Sequence, residues 1–411
     1  MKMKLKLRYC TSSLQLGILI SLYSLFSACT EIEYTEIDNP AYLRVFNSLN
    51  YEVKLENRLE RPPFLTMLID PVFDEEGIPV SAAIVSDFLD QRDKYAAPFP
   101  THSAGSTSKK NPEYPGKENV LVGPILNGFD LSSWAQVPSG KHRIVFMFRP
   151  INEIPFFSLE KRLKKDVAID ENIDLQAKEI YTLNVLQKDY MTKENGIILR
   201  QENFHKLPLS DSLVYFNMYN YSAYGFQSSL EGKDGSNTTG SLHYGILDNM
   251  NVYLSLYPTV SNDIYGGGYD SKTAIKNYDG LFISSLVRNT ESNEVAAYSS
   301  FPLYRGPSSN GIKTDMIQFI SLIAPGLSYA QNPYGRRDAQ KGGEFALLTF
   351  HKDGVDALRQ IASAYFPNMI ISLHSGEYNP RSFSTVNTIE IVNGKAYLTT
   401  IQRKYAPPVY K

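Results

Sequence analysis

Short strings in which apolar and polar side chains alternate, separated by Gly, Pro, Asn and Asp, constrain this chain more than any other feature. Tyr42-Leu43-Arg44-Val45-Phe46-Asn47 is the clearest; Phe64 to Ile69 and Ile144 to Phe148 follow the same rule less strictly. A period of two places alternate side chains on opposite faces of an extended strand, so each string can bury one face and wet the other. Val, Ile, Tyr and Phe dominate these strings, as strands prefer. Val137-Pro138-Ser139-Gly140 before Lys141 reads as a turn into a strand. Helix signals are few. Ser81 to Arg92 carries Ile84, Val85, Phe88 and Leu89 at helical spacing, and Val355 to Tyr365 carries Leu358, Ile361 and Ala362 after Asp353-Gly354. Strand and helix do not alternate regularly, which excludes a βαβ framework. The expected fold is mostly β: antiparallel sandwiches with short helical insertions.

Two segments recur. Ile173 to Tyr181 resembles Ile389 to Tyr397, each with an apolar–acidic–apolar strand end, a turn carrying Lys and a Tyr opening the next strand. Leu43-Arg44-Val45-Phe46-Asn47 likewise resembles Leu213-Val214-Tyr215-Phe216-Asn217. The recurrence implies two related, tandem immunoglobulin-like sandwiches over 40–207 and 211–411, joined at Pro208. The second is longer, with its extra length expected as an insertion at about 260–365.

The amino terminus gives an address. Lys2, Lys4, Lys6 and Arg8 precede an apolar run from Leu14 to Ala28 that ends Leu25-Phe26-Ser27-Ala28-Cys29. Such a run is short for a permanent membrane span of ~20 residues and reads as an export signal over 1–28. Small residues before a cysteine resemble the bacterial lipobox, which implies that Cys29 is acylated and anchors the mature chain to the membrane. The other reading is an ordinary secretory signal with an incidental cysteine. Residues 29–39 form an acidic tether, with Glu31, Glu33, Glu36 and Asp38, and resemble the surface-export signal of Bacteroidota lipoproteins. The whole chain has 41 basic and 43 acidic residues. Removing the leader takes four of the basic ones and leaves 37 against 43, a net charge of −6. That balance excludes a general nucleic-acid binder. Two cysteines, one of them in the leader, exclude a disulfide scaffold and a thiolate metal site.

The opening strand Arg44 to Asn47, the Val137 to Gly140 turn and the Lys178 to Thr182 strand start resemble the repeated sandwich domain of unknown function found in Bacteroidota surface lipoproteins. The first half carries this resemblance over most of its length, and the second only at its ends. It implies a fold and an outer-membrane location facing the exterior, and no catalytic residue.

Motifs for chemistry are sparse. The six histidines, His102, His142, His205, His243, His351 and His374, are scattered and form no metal-ligand spacing. Gly306-Pro307-Ser308-Ser309-Asn310-Gly311 lacks the strand-turn-helix setting of a nucleophile elbow. Asp70, Asp74, Glu75, Glu76, Asp87 and Asp90 could supply the carboxylate pair of a glycosidase, though Asp74-Glu75-Glu76-Gly77 reads as a solvated loop. Asp70 to Glu75 and Asp234 to Thr238 are oxygen-rich loops without EF-hand spacing. Gly266-Gly267-Gly268 lacks the helix a phosphate loop needs. No metal or cofactor is expected.

Tyrosine is the informative excess, with 28 in the chain. Tyr215 and Tyr253 fall in strands. Tyr224, Tyr265 and Tyr269 stand beside glycines, where a broad ring with a polar tip suits a sugar or a protein partner. The expected function is a non-catalytic envelope lipoprotein that binds a polysaccharide or protein partner, in one variant an accessory to nutrient uptake. A fimbria-like or adhesion subunit and a glycan-active enzyme are the alternatives.

Overall fold

The computed structural model describes residues 36–49, 63–92, 120–210, 213–229, 247–258, 274–302, 316–323, 345–351, 363–367 and 385–402, with isolated positions 55, 59, 99 and 325. The first half contains β1 (Ala41–Asn47), β2 (Leu65–Ile69), β3 (Val72–Phe73), β4 (Pro79–Ser81), β5 (Ile84–Leu89), β6 (Ile125–Leu126), β7 (Phe129–Asp130), β8 (Ala135–Val137), β9 (Gly140–Phe148), β10 (Val167–Leu175), β11 (Ile180–Gln187) and β12 (Asn195–Glu202). The second half contains β13 (Leu213–Asn220), β14 (Asn249–Pro258), β15 (Leu281–Val287), β16 (Ser299–Pro302), β17 (Met316–Ile323), β18 (Phe345–His351), β19 (Ser363–Pro367), β20 (Thr385–Val392) and β21 (Lys395–Gln402). The fold is mostly β, as its alternating strings require.

In the first half, sheets of order β12-β11-β1-β8 and β10-β9-β2-β5 face one another. Leu43, Val45, Met67, Ile144, Phe146 and Leu183 fill the space between them. In the second half, the sheets are β16-β13-β20-β21 and β15-β14-β17-β18-β19, and Phe216, Val252, Leu254, Ile320 and Ile389 form the core. The two orders repeat one plan. β1, β8, β11 and β12 correspond to β13, β16, β20 and β21, while β2, β5, β9 and β10 correspond to β14, β15, β17 and β18. The sheets are not purely antiparallel: β1 runs parallel to β11, β13 to β20 and β18 to β19.

This plan corrects the register of the recurring segments. Val214, Phe216 and Met218 face the second core as Ala41, Leu43 and Val45 face the first. Asn47 therefore matches Asn220, not Asn217. Both close their strands in the same way. Asn47 donates from Nδ2 to the Pro63 carbonyl at 2.7 Å and accepts the Leu49 N–H at 3.3 Å. Asn220 donates to the Leu247 carbonyl at 2.9 Å and accepts the Ser222 N–H at 3.2 Å. An odd register error exchanges the two faces of a strand. The other recurrence aligned unlike turns. Ile173 to Tyr181 carries the chain from β10 to β11, which lie in different sheets, whereas Ile389 to Tyr397 is the hairpin of neighbours β20 and β21. Asn393 and Gly394 turn that hairpin with φ of 43° and 73°, the left-handed pair that an Asn-Gly turn supplies.

The expected helix at Ser81 to Arg92 is strand β5, paired with β2 across a bulge. Ile84 and Leu89 enter the core between the sheets, while Val85 packs with Phe156 and Leu159 on the opposite face. A strand covered on both faces loses its alternation, and its apolar positions then imitate a helical stripe. The second expected helix, Val355 to Tyr365, falls mainly outside the described residues; its last three residues open β19. The described helical turns are short 3-10 pieces at Phe156–Ser158, Lys161–Leu163 and Phe204–Lys206. The stretch at about 260–365 contains β15 to β18, which hold the places of β5, β8, β9 and β10.

Candidate functional site

The outward faces of β12-β11-β1-β8 and β16-β13-β20-β21 are not wet; they cover each other. Register fixes who meets whom. On one face Arg44, Thr182 and Arg200 form a row, with Phe46, Asn184 and Ile198 beside it. On the other, Asn217, Thr388 and Thr399 form a row beside Tyr219, Glu390 and Tyr397. Apolar residues close both ends. Ile180, Phe204, Val386 and Ile401 make one cluster, and Leu186, Ile198, Tyr219, Tyr221, Val392 and Tyr397 make the other. Both clusters draw on both halves.

Between the clusters runs a chain of alternating charge. Arg44 Nη2 lies 3.7 Å from Glu202, Arg200 bonds Glu202 at 2.9 Å and Glu390 at 3.1 Å, and Arg92 bonds Glu390. All five side chains are at most 2% exposed. Phenols serve the same network: Tyr221 Oη accepts Arg200 Nη1 at 2.9 Å, and Tyr219 Oη accepts Asn217 Nδ2 at 3.0 Å. Burial lowers Arg44 to about 10, so it stays charged at neutral pH. Burial opposes the charge of Glu390 too, but Arg92 and Arg200 hold it below the ordinary carboxylate range. Burial pushes Tyr221 up to about 12 and raises Tyr219 and Tyr298. Groups this enclosed cannot meet a soluble substrate; they lock the halves together. Six tyrosines, Tyr42, Tyr215, Tyr219, Tyr221, Tyr298 and Tyr397, pack in or against the two clusters.

The accessible site is an open groove of about 850 Å³ beside edge strands β10 and β12, walled on its other side by residues 291–295. Asn293 crosses to β12, its Oδ1 accepting the Leu199 N–H at 3.0 Å. Asp174, Gln176, Gln201, Asn203, Asn293 and Glu294 line the groove. Carboxamides and carboxylates together offer both donors and acceptors, the complement a hydroxyl-rich ligand needs. Asp174, Asn293 and Glu294 stand exposed.

Tyr224 adjoins this groove. Its N–H donates to the carbonyl of Lys188, a groove residue, at 2.7 Å, and its carbonyl accepts the Tyr190 N–H at 2.8 Å. The backbone is thus pinned between the halves while the residue is 62% exposed. The Arg288 guanidinium lies 5.4 Å from the ring centre. Tyr265, Tyr269 and Cys29 lie outside the described residues, as do Gly266 to Gly268, Ser308 and Asp234.

Other expectations resolve at particular residues. In the oxygen-rich loop at Asp70, the Asp74 carboxylate accepts the N–H groups of Ile78 at 2.9 Å and Glu76 at 3.0 Å. Its second oxygen faces Lys161 Nζ at 3.3 Å, so an ammonium occupies the cation's place. Hydrogen bonding, first from Ile78, holds Asp74 below its usual range. Asp87 lies on β5, accepting the Phe156 N–H at 2.8 Å, and Asp90 follows that strand, its carboxyl raised to about 6 by burial. His142 is fixed between Asp70 at 2.7 Å and the Pro138 carbonyl at 2.9 Å. His205 is buried against Phe204, and that burial lowers its pKa. Arg44, Arg92, Arg200, Glu202 and Glu390 were not singled out by sequence, because nothing local marks a charged strand residue as buried.

Among the described residues no helix is long and apolar enough to cross a membrane, and no group of His, Cys, Asp and Glu could hold a metal ion. No family model matches the chain, and no curated protein matches it. Solved structures similar to it include a candidate cell adhesion protein of Bacteroides ovatus at 9% identity, covering 91% of this chain and 100% of that one, with a TM-score of 0.17. Another, from Parabacteroides distasonis, shows 8% identity over 91% and 98% of the two chains, with a TM-score of 0.19. A third, from Bacteroides uniformis, shows 9% identity over 90% and 100%, with a TM-score of 0.16. These scores are below those of a shared fold.

Proposed function

We propose that the chain is a non-catalytic, surface-exposed envelope lipoprotein, acylated at Cys29, that binds a polysaccharide through the groove beside β10 and β12. The groove's lining carries the reading: amides and exposed carboxylates on and beside edge strands β10 and β12, with Tyr224, exposed and bonded through its backbone to the groove residue Lys188, as an aromatic side chain proposed to contribute. Tyr265 and Tyr269 are further proposed contacts. A nutrient-uptake accessory would use such a site to hold glycan near the membrane. On a glycan array, the purified chain is expected to retain a polysaccharide. Asn293→Ala and Tyr224→Ala should each weaken retention about tenfold, ~1.4 kcal/mol, with an unchanged melting temperature. Undiminished retention in both variants would overturn the groove assignment. For the anchor, Cys29→Ala should move the protein from the membrane fraction to the soluble one; continued membrane retention would defeat the acylation reading.

A fimbria-like or adhesion role is the second reading, and β15 favours it. This edge strand, Leu281-Phe282-Ile283-Ser284-Ser285-Leu286-Val287, has no charge, and Phe282 and Val287 are 52% and 61% exposed. Its counterpart β5 is covered by Phe156 and Leu159. Uncharged edges with exposed apolar side chains accept added strands.

A further inference from the structure

The buried charge chain ends on cations at both sides. In order it runs Arg44, Glu202, Arg200, Glu390, Arg92: among the described residues, three guanidiniums against two carboxylates. Both of its end guanidiniums lie against the same aromatic ring. The Arg44 guanidinium carbon lies 5.4 Å from the centre of the Phe46 ring, and that of Arg92 lies 3.8 Å from the same centre. Asn184 is the register partner of Phe46 on the adjoining strand and shares its face.

Polar atoms around that ring are left over. Arg44 Nη2, Arg92 Nε and both polar atoms of the Asn184 amide have no hydrogen-bond partner. Arg44 and Asn184 are each 1% exposed and Arg92 5%. A buried charge without a counter-charge and a buried donor without an acceptor are both costly to keep from water. The faces of Phe46, of Trp134 at 4.1 Å from Arg44 and of Tyr397 at 4.6 Å from Arg92 offset part of that cost, but cation–π contact does not supply a counter-charge.

We propose that a small monovalent anion, chloride in ordinary salt, is bound between the halves by Arg44, Arg92 and the Asn184 amide. There it closes the alternating chain into a neutral ring of three cations and three anions. Nothing covalent is involved. The anion exchanges when the interface between the sheets loosens, so its binding free energy adds to that interface by mass action.

The test compares the melting temperature of the purified chain in sodium chloride, sodium bromide and sodium gluconate at equal ionic strength. Gluconate is too large for the site. A saturable rise in chloride and bromide relative to gluconate is expected; equal melting temperatures in the three salts overturn the proposal. Asn184→Asp places a fixed carboxylate beside the two guanidiniums. It is expected to retain stability in gluconate and to lose the halide increment. Persistence of the full increment in this variant overturns the assignment, because a general salt effect would survive the change. Arg44→Met, which removes one cation, should lose the increment as well. In crystals grown from bromide, an anomalous peak between Arg44, Arg92 and Asn184 is expected; a water at that position, or no peak, overturns the site.

Discussion

Glu390→Gln is expected to destabilise the folded chain by about 3–5 kcal/mol, read as a lower urea midpoint. Among the described residues, Glu390 is the one carboxylate that the second half places in the inter-sheet network, and both Arg92 and Arg200 bond it. Gln keeps the shape and one acceptor but removes the charge, leaving Glu202 to balance three enclosed guanidiniums. The cost lies in the uncompensated cations more than in the lost contact. A midpoint within error of the parent would show that water reaches this interface and screens it. Removing the excess in the opposite sense makes the comparison sharp. Arg92→Met combined with Glu390→Gln takes out one ion pair, and it should recover part of the loss seen with Glu390→Gln alone.

Phe204→Ala should cost about 3–5 kcal/mol by leaving a cavity where the halves join. Phe204 is fully buried, edge-on to Phe129 at 5.0 Å and tilted against Trp134 at 5.9 Å. The cluster around it also includes Val386 and Ile401 from the last strands of the chain. Its removal therefore loosens contact between segments far apart in sequence, not a single turn. Phe282→Ala, at an exposed ring, is the control and should change stability by no more than about 0.5 kcal/mol. Similar losses for the two variants would mean that the junction carries no special share of the packing.

Glu390 belongs to a sheet face that sequence inspection treats as solvent. Arg44 sits on the polar side of an alternating strand, the position where a charge is ordinarily wet. Alternation states which residues share a face; it is silent on what covers that face. The same limit applies to the groove. Gln201 and Asn293 come from opposite halves, and no local pattern brings them together. Where sequence signals did exist and went unread, they were turn signals. Asn393-Gly394 announces a tight hairpin, and it separates the β20–β21 turn from the sheet-changing turn at Lys178 that resembles it in composition.

The β class, the strands at Tyr42 to Asn47 and Ile144 to Phe148 and the Val137 to Gly140 turn were all decided locally. Side-chain alternation and turn chemistry depend on neighbours a few positions apart, and those are present in the string of residues itself. The strand identity of β5, the register of the repeat and the enclosure of five charged side chains were decided by tertiary structure. Each depends on what packs against a face from elsewhere in the chain. Burial of a charge is a property of its surroundings in space, and for Arg200 and Glu390 those surroundings are assembled only when two sheets close on each other.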